Sequence, residues 1–523
     1  MPVDVGVRST IISDKIKGWI ASANDANIDP GFAPTFRNII LTKKGAIRKR
    51  NGYQKVNTTV LTGTPEILTI MEWKSNTTGT ATQTIVGCAD GNIYRLETDD
   101  TFTLIKAGRT ANLREGWANF DGILYFNNGT DTPQQYDGTN VSDHVTAGLD
   151  AIPTYKIIHS HESRLFVSDG GATVSYSQLN TADNFDVVGG GTGVSGGSLS
   201  VTPILPKGDN VTSINSHKGL LMIFCSQHIV LFNFSTEASA ASLAQVIGGQ
   251  GTFGRGSEIL VGNDAYFWAR YGLKSLAETT ASLNVEMGDD VSEQIDDELE
   301  TRLQLVIDNS LEDKVSVVHY PKKTMVILNY PTNATGTEFR QAAYNYNFKV
   351  WSEWTNQHFT SMYVTSNNTM YGGGTDGFLY KMDTSKNDNG SPINFVWETP
   401  WLYLKSTSRI KDLDSMTMVM ANTDPVTITA RWYSDFDESA STEQTDTWSF
   451  EGGGPYFLES GVDPVFEFDG FWDTSGKSSP LPFALFGYGL VHKFFLENNE
   501  VSETFTIEYM RADYTIGGRA TGR

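Results

Sequence analysis

From about residue 65 the chain reads as short runs of alternating apolar and polar residues, each closed by Gly, Asn or Asp. Alternation of this kind marks a strand with one buried face, and the closing residues tolerate the positive backbone angles of tight turns. The instances are TIVGCADGNIYRLE (84–97), GILYFNNGTDTPQQYDG (122–138), SRLFVSDGGATVSYSQL (163–179), GLLMIFCSQHIVLFNF (219–234) and DAYFWARYGLKSLAE (264–278). TMVILNYPTN (324–333) with AAYNYNFKVWSEW (342–354), and TMYGGGTDGFLYKMD (369–383), continue the series. Their apolar anchors recur about 30 to 60 residues apart, around the ~40–50 residues of a propeller blade. The rhythm predicts an all-β fold built on a β-propeller of about six or seven blades over residues 65–392.

Two segments break the rhythm. VVGGGTGVSGGSLSV (187–201) is a Gly/Ser-rich loop. DDVSEQIDDELETRLQLVI (289–307) is the one helical pattern, with Val291, Ile295, Leu299, Leu303 and Val306 on one face and Asp290 with Glu293 spaced as a capping box. Its acids, Asp289, Asp290, Glu293, Asp296, Asp297, Glu298 and Glu300, form a candidate acidic surface, or a solvated helix face. After residue 392 the strands lengthen, and 393–523 is predicted to be an antiparallel β-sandwich-like domain. Residues 1–64 lack blade rhythm and are set apart as an N-terminal segment.

Composition narrows the function. The 39% hydrophobic content is that of a folded chain, and the net charge of −22 disfavours a protein that grips duplex DNA. Only Cys88 and Cys225 occur, which excludes a disulfide scaffold and a cysteine zinc site. The first residues lack an apolar run typical of a secretory signal, so synthesis and assembly in a cytoplasm are expected.

Each motif that could carry chemistry also has a plainer reading. GQGTFG (249–254) fits the glycine pattern of dinucleotide sites but precedes a strand where such a site needs a helix. SDGG (168–171) reads as a turn. Paired carboxylates such as Asp99/Asp100 and Asp463/Glu467/Asp469 show no cleft geometry. His159 and His161 share a strand face without an implied third metal ligand. The Asn/Asp-rich stretch YFNNGTDTPQQYDG (125–138) offers oxygen ligands, but Gly129 comes too early for a calcium loop, Pro133 interrupts it and no Glu closes it. Turn chemistry is the preferred reading there. No catalytic residue, cofactor or metal is expected. The sharpest local charge is the basic stretch Lys43, Lys44, Arg48, Lys49 and Arg50, a candidate subunit or adaptor contact in an acidic chain, or a solvated turn.

The order of motifs is the remaining clue. NIILTKKGAIRKRNGY (38–53) precedes FNNGTDTPQQYDG, and FGRGSEILVGNDAYFWARYGL (253–273) leads into the acidic DVSEQI. This order resembles that of the tail nozzle proteins of short-tailed bacteriophages, also called tail tubular protein B or tail stabilisation proteins. The resemblance covers roughly residues 35–310 and implies a non-enzymatic virion protein of the tail: a homohexameric ring below portal and adaptor, around the DNA ejection channel. Tail fibres or receptor-binding proteins would attach nearby, duplex DNA would pass without sequence-specific binding, and the host surface would be within reach. The alternative class is a propeller that binds or cleaves glycans as a receptor-binding protein or depolymerase.

Overall fold

A computed structural model describes residues 7–13, 15–21, 28–76, 81–187, 195–234, 241–249, 251–270, 272–278, 285–422, 424–450 and 481–519. The chain divides into two units: residues 55–341 with 357–382, and residues 1–54 with 342–356 and 383–523.

The first unit is a six-blade β-propeller arrangement. Each of its first five antiparallel sheets takes four consecutive strands. Blade 1 is Ile67–Lys74, Thr82–Cys88, Ile93–Leu96 and Phe102–Lys106, and blade 2 is Gly116–Phe120, Ile123–Asn127, Gln134–Tyr136 and Val141–Asp143. Blade 3 runs from Ile157–His161 to Gly197–Ser200, blade 4 from Val211–His217 to Ser242–Gly248, and blade 5 from Glu258–Val261 to Val285–Asp290. Blade 6 is Phe359–Val364, Met370–Gly374 and Leu379–Ser385, with Gly52–Lys55 as its fourth strand where the chain enters the unit. The hairpin of Ser316–Tyr320 and Met325–Pro331 is interposed in the ring, its first strand touching those of blades 5 and 6.

The alternation of side chains builds the ring. Along the second strand of blade 2, Leu124 and Phe126 pack toward blade 1 with Met71 and Ile85, while Tyr125 packs toward blade 3 with Leu165 and Val167. In blade 4, Leu221, Ile223 and Cys225 face Phe166 and Val174 of blade 3, whereas Met222 and Phe224 face Phe267 of blade 5. A central strand is therefore apolar on both faces, and each fully buried large side chain contributes about 1.5–3 kcal/mol. The last joint is non-covalent: Val56 N–H donates to Leu379 O (2.8 Å) and Leu379 N–H to Asn57 Oδ1 (2.8 Å).

The helix begins later than its sequence pattern suggests. Val285–Asp290 is the outer strand of blade 5, Glu293–Ile295 a 3-10 turn, and the helix α1 spans Asp296–Asp308. Asp290 thus cannot cap it; Ser292 Oγ instead donates to Asp296 and accepts from Leu273 N–H. Strand pairing outcompetes a local capping pattern here. Leu299, Leu303 and Val306 supply the buried stripe, and Asp296, Asp297 and Glu298 sit favourably at the positive end of the helix dipole.

The second unit is sandwich-like. One sheet has the order Leu481–Ala484, Arg409–Asn422, Phe505–Arg519, Ile47–Lys49 and Ile39–Leu41, with Arg8–Ile11 also on Phe505–Arg519. The other, within this unit, runs Val350–Trp354, Thr35–Arg37, Phe395–Glu398, His492–Asn498, Val426–Ser434 and Gln444–Phe450. Trp448 stacks on Phe483 (4.5 Å between centroids) and Phe395 meets Phe505 edge-on (4.9 Å), joining the two sheets. Residues 1–54 contribute strands to both sheets, so contacts group them with residues 383–523, whereas the sequence pattern set 1–64 apart.

Candidate functional site

The residues just before the innermost propeller strands meet at one end of the propeller. Arg114, preceding blade 2, donates through Nη1 to the carbonyls of Val315 (2.8 Å), Arg255 (3.3 Å) and Asp313 (3.3 Å). Those carbonyls precede the first strands of the interposed hairpin and of blade 5, which are not neighbours of blade 2 in the ring. Arg114 therefore reaches across the ring. Arg255 repeats the device: Nη1 donates to Lys156 O before blade 3 (2.8 Å), while Nε and Nη2 bind the Asp313 carboxylate at 3.1 and 2.8 Å. Lys314 pairs with Glu66, before blade 1, at 2.8 Å.

Enclosure changes the acidity of these groups. Desolvation, reinforced by Arg255, lowers the Arg114 guanidinium to about 10, so it keeps its charge at neutral pH. Desolvation raises Glu258 to about 7 against the hydrogen bond from Ser213 Oγ, and its Oε2 has no partner. The Asp313 carboxyl is opposed by its own desolvation yet lowered by Arg255 and Arg114, and it is held in the Arg255 fork.

The Asn/Asp-rich loop lies at the same end, and the cation that fills it is a side chain. Arg109, buried, forms a two-point bond with Glu115 (Nε–Oε1 2.6 Å, Nη2–Oε2 2.9 Å) and donates to Asn127 Oδ1 (3.0 Å) and Thr132 O (3.3 Å). Asp131 is lowered by hydrogen bonds from Thr110 and Asn128 and by Arg109, against desolvation, while Asn128 Oδ1 accepts the amides of Thr130 and Asp131. Gly129 takes the positive φ of 89° that the turn reading called for. No group of three or more His, Cys, Asp or Glu capable of holding a metal occurs among the described residues.

His159 and His161 do share a strand face, and both rings meet Ser216 Oγ on blade 4, at 2.7 and 2.8 Å. Burial pushes His159 down to about 4 and lowers His161 as well. GQGTFG leads into the strand Glu258–Val261, as its turn reading implied. The sequence also spells a nucleophile elbow, Gly193-Val194-Ser195-Gly196-Gly197, but Ser195 to Gly197 lead into the strand Gly197–Ser200 where the elbow needs a helix, and Ser195 O accepts from Arg164. Residues 188–194 lie outside the described part.

The structure does not keep the basic stretch together. Lys43 and Lys44 are exposed on the turn between Ile39–Leu41 and Ile47–Lys49, and Arg48 is half-buried. Lys49 is fully buried, donating to Asn498 Oδ1 at 2.5 Å, and desolvation lowers it to about 8. Arg50, 1% exposed, places all five donors: two-point on Asp388, and on Asn38 Oδ1, Asn51 O and Thr355 O. Lys49 and Arg50 are therefore internal fasteners, which corrects their reading as part of a subunit or adaptor contact or of a solvated turn. Of the candidate acidic surface, Glu293, Asp297 and Glu300 are exposed, while Asp296 and Glu298 are half-buried, Glu298 paired with Arg302 at 2.8 Å. The side chains of Asp289 and Asp290 lie outside the described part.

Sequence reasoning passed over Arg109, Arg114, Glu115, Arg255, Glu258 and Asp313. Arg255 and Glu258 stand inside the FGRGSEILVG stretch already singled out, so the signal was present without a role attached.

No protein-family model matches the chain, and no curated protein matches it in sequence. Among solved structures, the crystal structure of the computationally designed Ika8 protein is similar over 63% of this chain and 99% of that chain, at 10% identity and a TM-score of 0.35. The fold class is thus defined by the chain's own architecture, an all-β protein with a β-propeller.

Proposed function

We propose that the chain is a structural subunit of a short-tailed phage tail, assembling as a ring around the path of exiting DNA. The observation that supports this reading is the bolted end of the propeller. Arg114, Arg255 and Lys314 bind across the ring to backbone carbonyls and carboxylates, where a substrate funnel would leave such cations facing a ligand. In this reading the propeller is a rigid block, and DNA passes through the centre of the assembled ring of subunits. An overall charge of −22 suits a wall along which DNA slides without adhering. Sizing the purified protein tests it: a closed assembly of several copies is expected, and a stable monomer at micromolar concentration argues against it.

One observation favours the glycan reading. A polar cleft of about 300 Å³ in the propeller unit is lined by Gln83, Arg95, Glu97, Asn367 and Tyr371. Titration with host surface polysaccharide separates the two: saturable binding abolished by Tyr371→Ala supports the glycan class.

A further inference from the structure

In the second unit, a groove of about 790 Å³ runs between the turn carrying Lys43 and Lys44 and the segment carrying Lys15. Its apolar side includes Phe348, 38% exposed, and its one described acid is Glu508. The three lysines are exposed, giving the groove an excess of positive charge within a strongly acidic chain. The propeller unit carries the complement. The outer face of α1 and its leading turn presents Glu293, Asp297, Glu300 and Asp308 at helical spacing, with Ile307, 44% exposed, beside Asp308. Arg302, the basic residue of α1, is held by Glu298.

We propose that the Lys15–Lys43–Lys44 groove of one copy receives the acidic outer face of α1 from the next copy. The two surfaces match in charge, and each offers an exposed apolar side chain, Phe348 against Ile307, at its edge. Because the surfaces differ, the contact is heterologous, and repetition generates a ring when the rotation closes. This contact rests on the ring reading and names the surfaces that would build the ring.

Charge exchange in the full-length protein tests it, with assembly followed by mass photometry. Lys43→Glu/Lys44→Glu and, separately, Asp297→Lys/Glu300→Lys are expected to weaken assembly about tenfold or more, because like charges then face each other. All four positions are exposed, so Lys43→Glu/Lys44→Glu should keep the wild-type thermal midpoint, while Asp297→Lys/Glu300→Lys should stay folded with a midpoint a few degrees lower at most, because Asp297 leaves the first turn of α1. Combining all four substitutions in one chain should restore assembly. A wild type that never assembles overturns the ring reading and this contact with it. Variants that assemble like wild type, or a fourfold variant that fails to recover, overturn the contact alone. So does loss of duplex-DNA binding by Lys43→Glu/Lys44→Glu with assembly intact, which would make the groove a nucleic-acid surface.

Discussion

Replacing Arg50 by Ala should destabilise the sandwich-like unit severely. The side chain is 1% exposed, and its removal leaves the Asp388 carboxylate, itself buried, without both of its hydrogen bonds to the guanidinium. Thr355 O also loses its donor, and the ring of Trp354 loses the guanidinium lying 5.9 Å above it. Breaking a buried ion pair from one side costs about 3–5 kcal/mol, equivalent to roughly a hundred- to four-thousand-fold faster exchange of amides protected by unit opening. Hydrogen exchange read on peptides spanning residues 35–54 and 383–398 measures this without assuming that the whole chain unfolds in one step. Desolvation already raises Asp388 against the pull of Arg50, and without Arg50 the acid should rise further. A carboxyl with a raised folded pKa favours folding most when protonated, so the Arg50→Ala defect should shrink as pH falls from 8 to 5. Exchange within about threefold of wild type at neutral pH would refute the account of Arg50 as an internal fastener.

Other outcomes follow from the same geometry. Arg109→Ala should cost about 3–5 kcal/mol in propeller stability by stranding Glu115, while millimolar calcium should leave the wild-type melting midpoint unmoved; a calcium-dependent rise would revive the cation-loop reading. His159 is held down near 4 by burial, below its ordinary value of 6.5. The unfolded chain therefore binds the extra proton first, and wild type should lose stability as pH falls from 6.5 to 4, with His159→Gln losing less in the same melts. Burial raises Cys225 to about 12 and Cys88 further still, so neither thiol should react with a thiol reagent until the propeller unfolds; prompt native labelling would contradict their placement.

The propeller was legible because its information is local. Blades 1 to 5 each take four strands consecutive in sequence, and residues such as Asn128-Gly129 declare turns between them; the fourth strand of blade 6, Gly52–Lys55, comes from far away in the chain and went unread. The second unit was less legible because its pairings are remote: Arg8–Ile11 lies on residues 511–514, and Thr35–Arg37 pairs with Phe395–Glu398. The basic stretch shows the same limit. Nothing near Arg50 in sequence indicates that Asp388, 338 positions on, waits for it. Lys43 and Lys44 stay exposed because they occupy the turn itself, whereas Lys49 lies on a strand with a buried face. The bolted end of the propeller was hidden because Arg114 and Arg255 bind backbone carbonyls, which carry no sequence signature.

The central claim is that this chain is a ring-forming scaffold, and the mass of the native particle tests it most directly. Mass photometry of the purified full-length protein should find one dominant species at a whole multiple of the 57.5 kDa chain, at about 345 kDa if the ring is a hexamer. A dominant 57.5 kDa species across the micromolar range would contradict it.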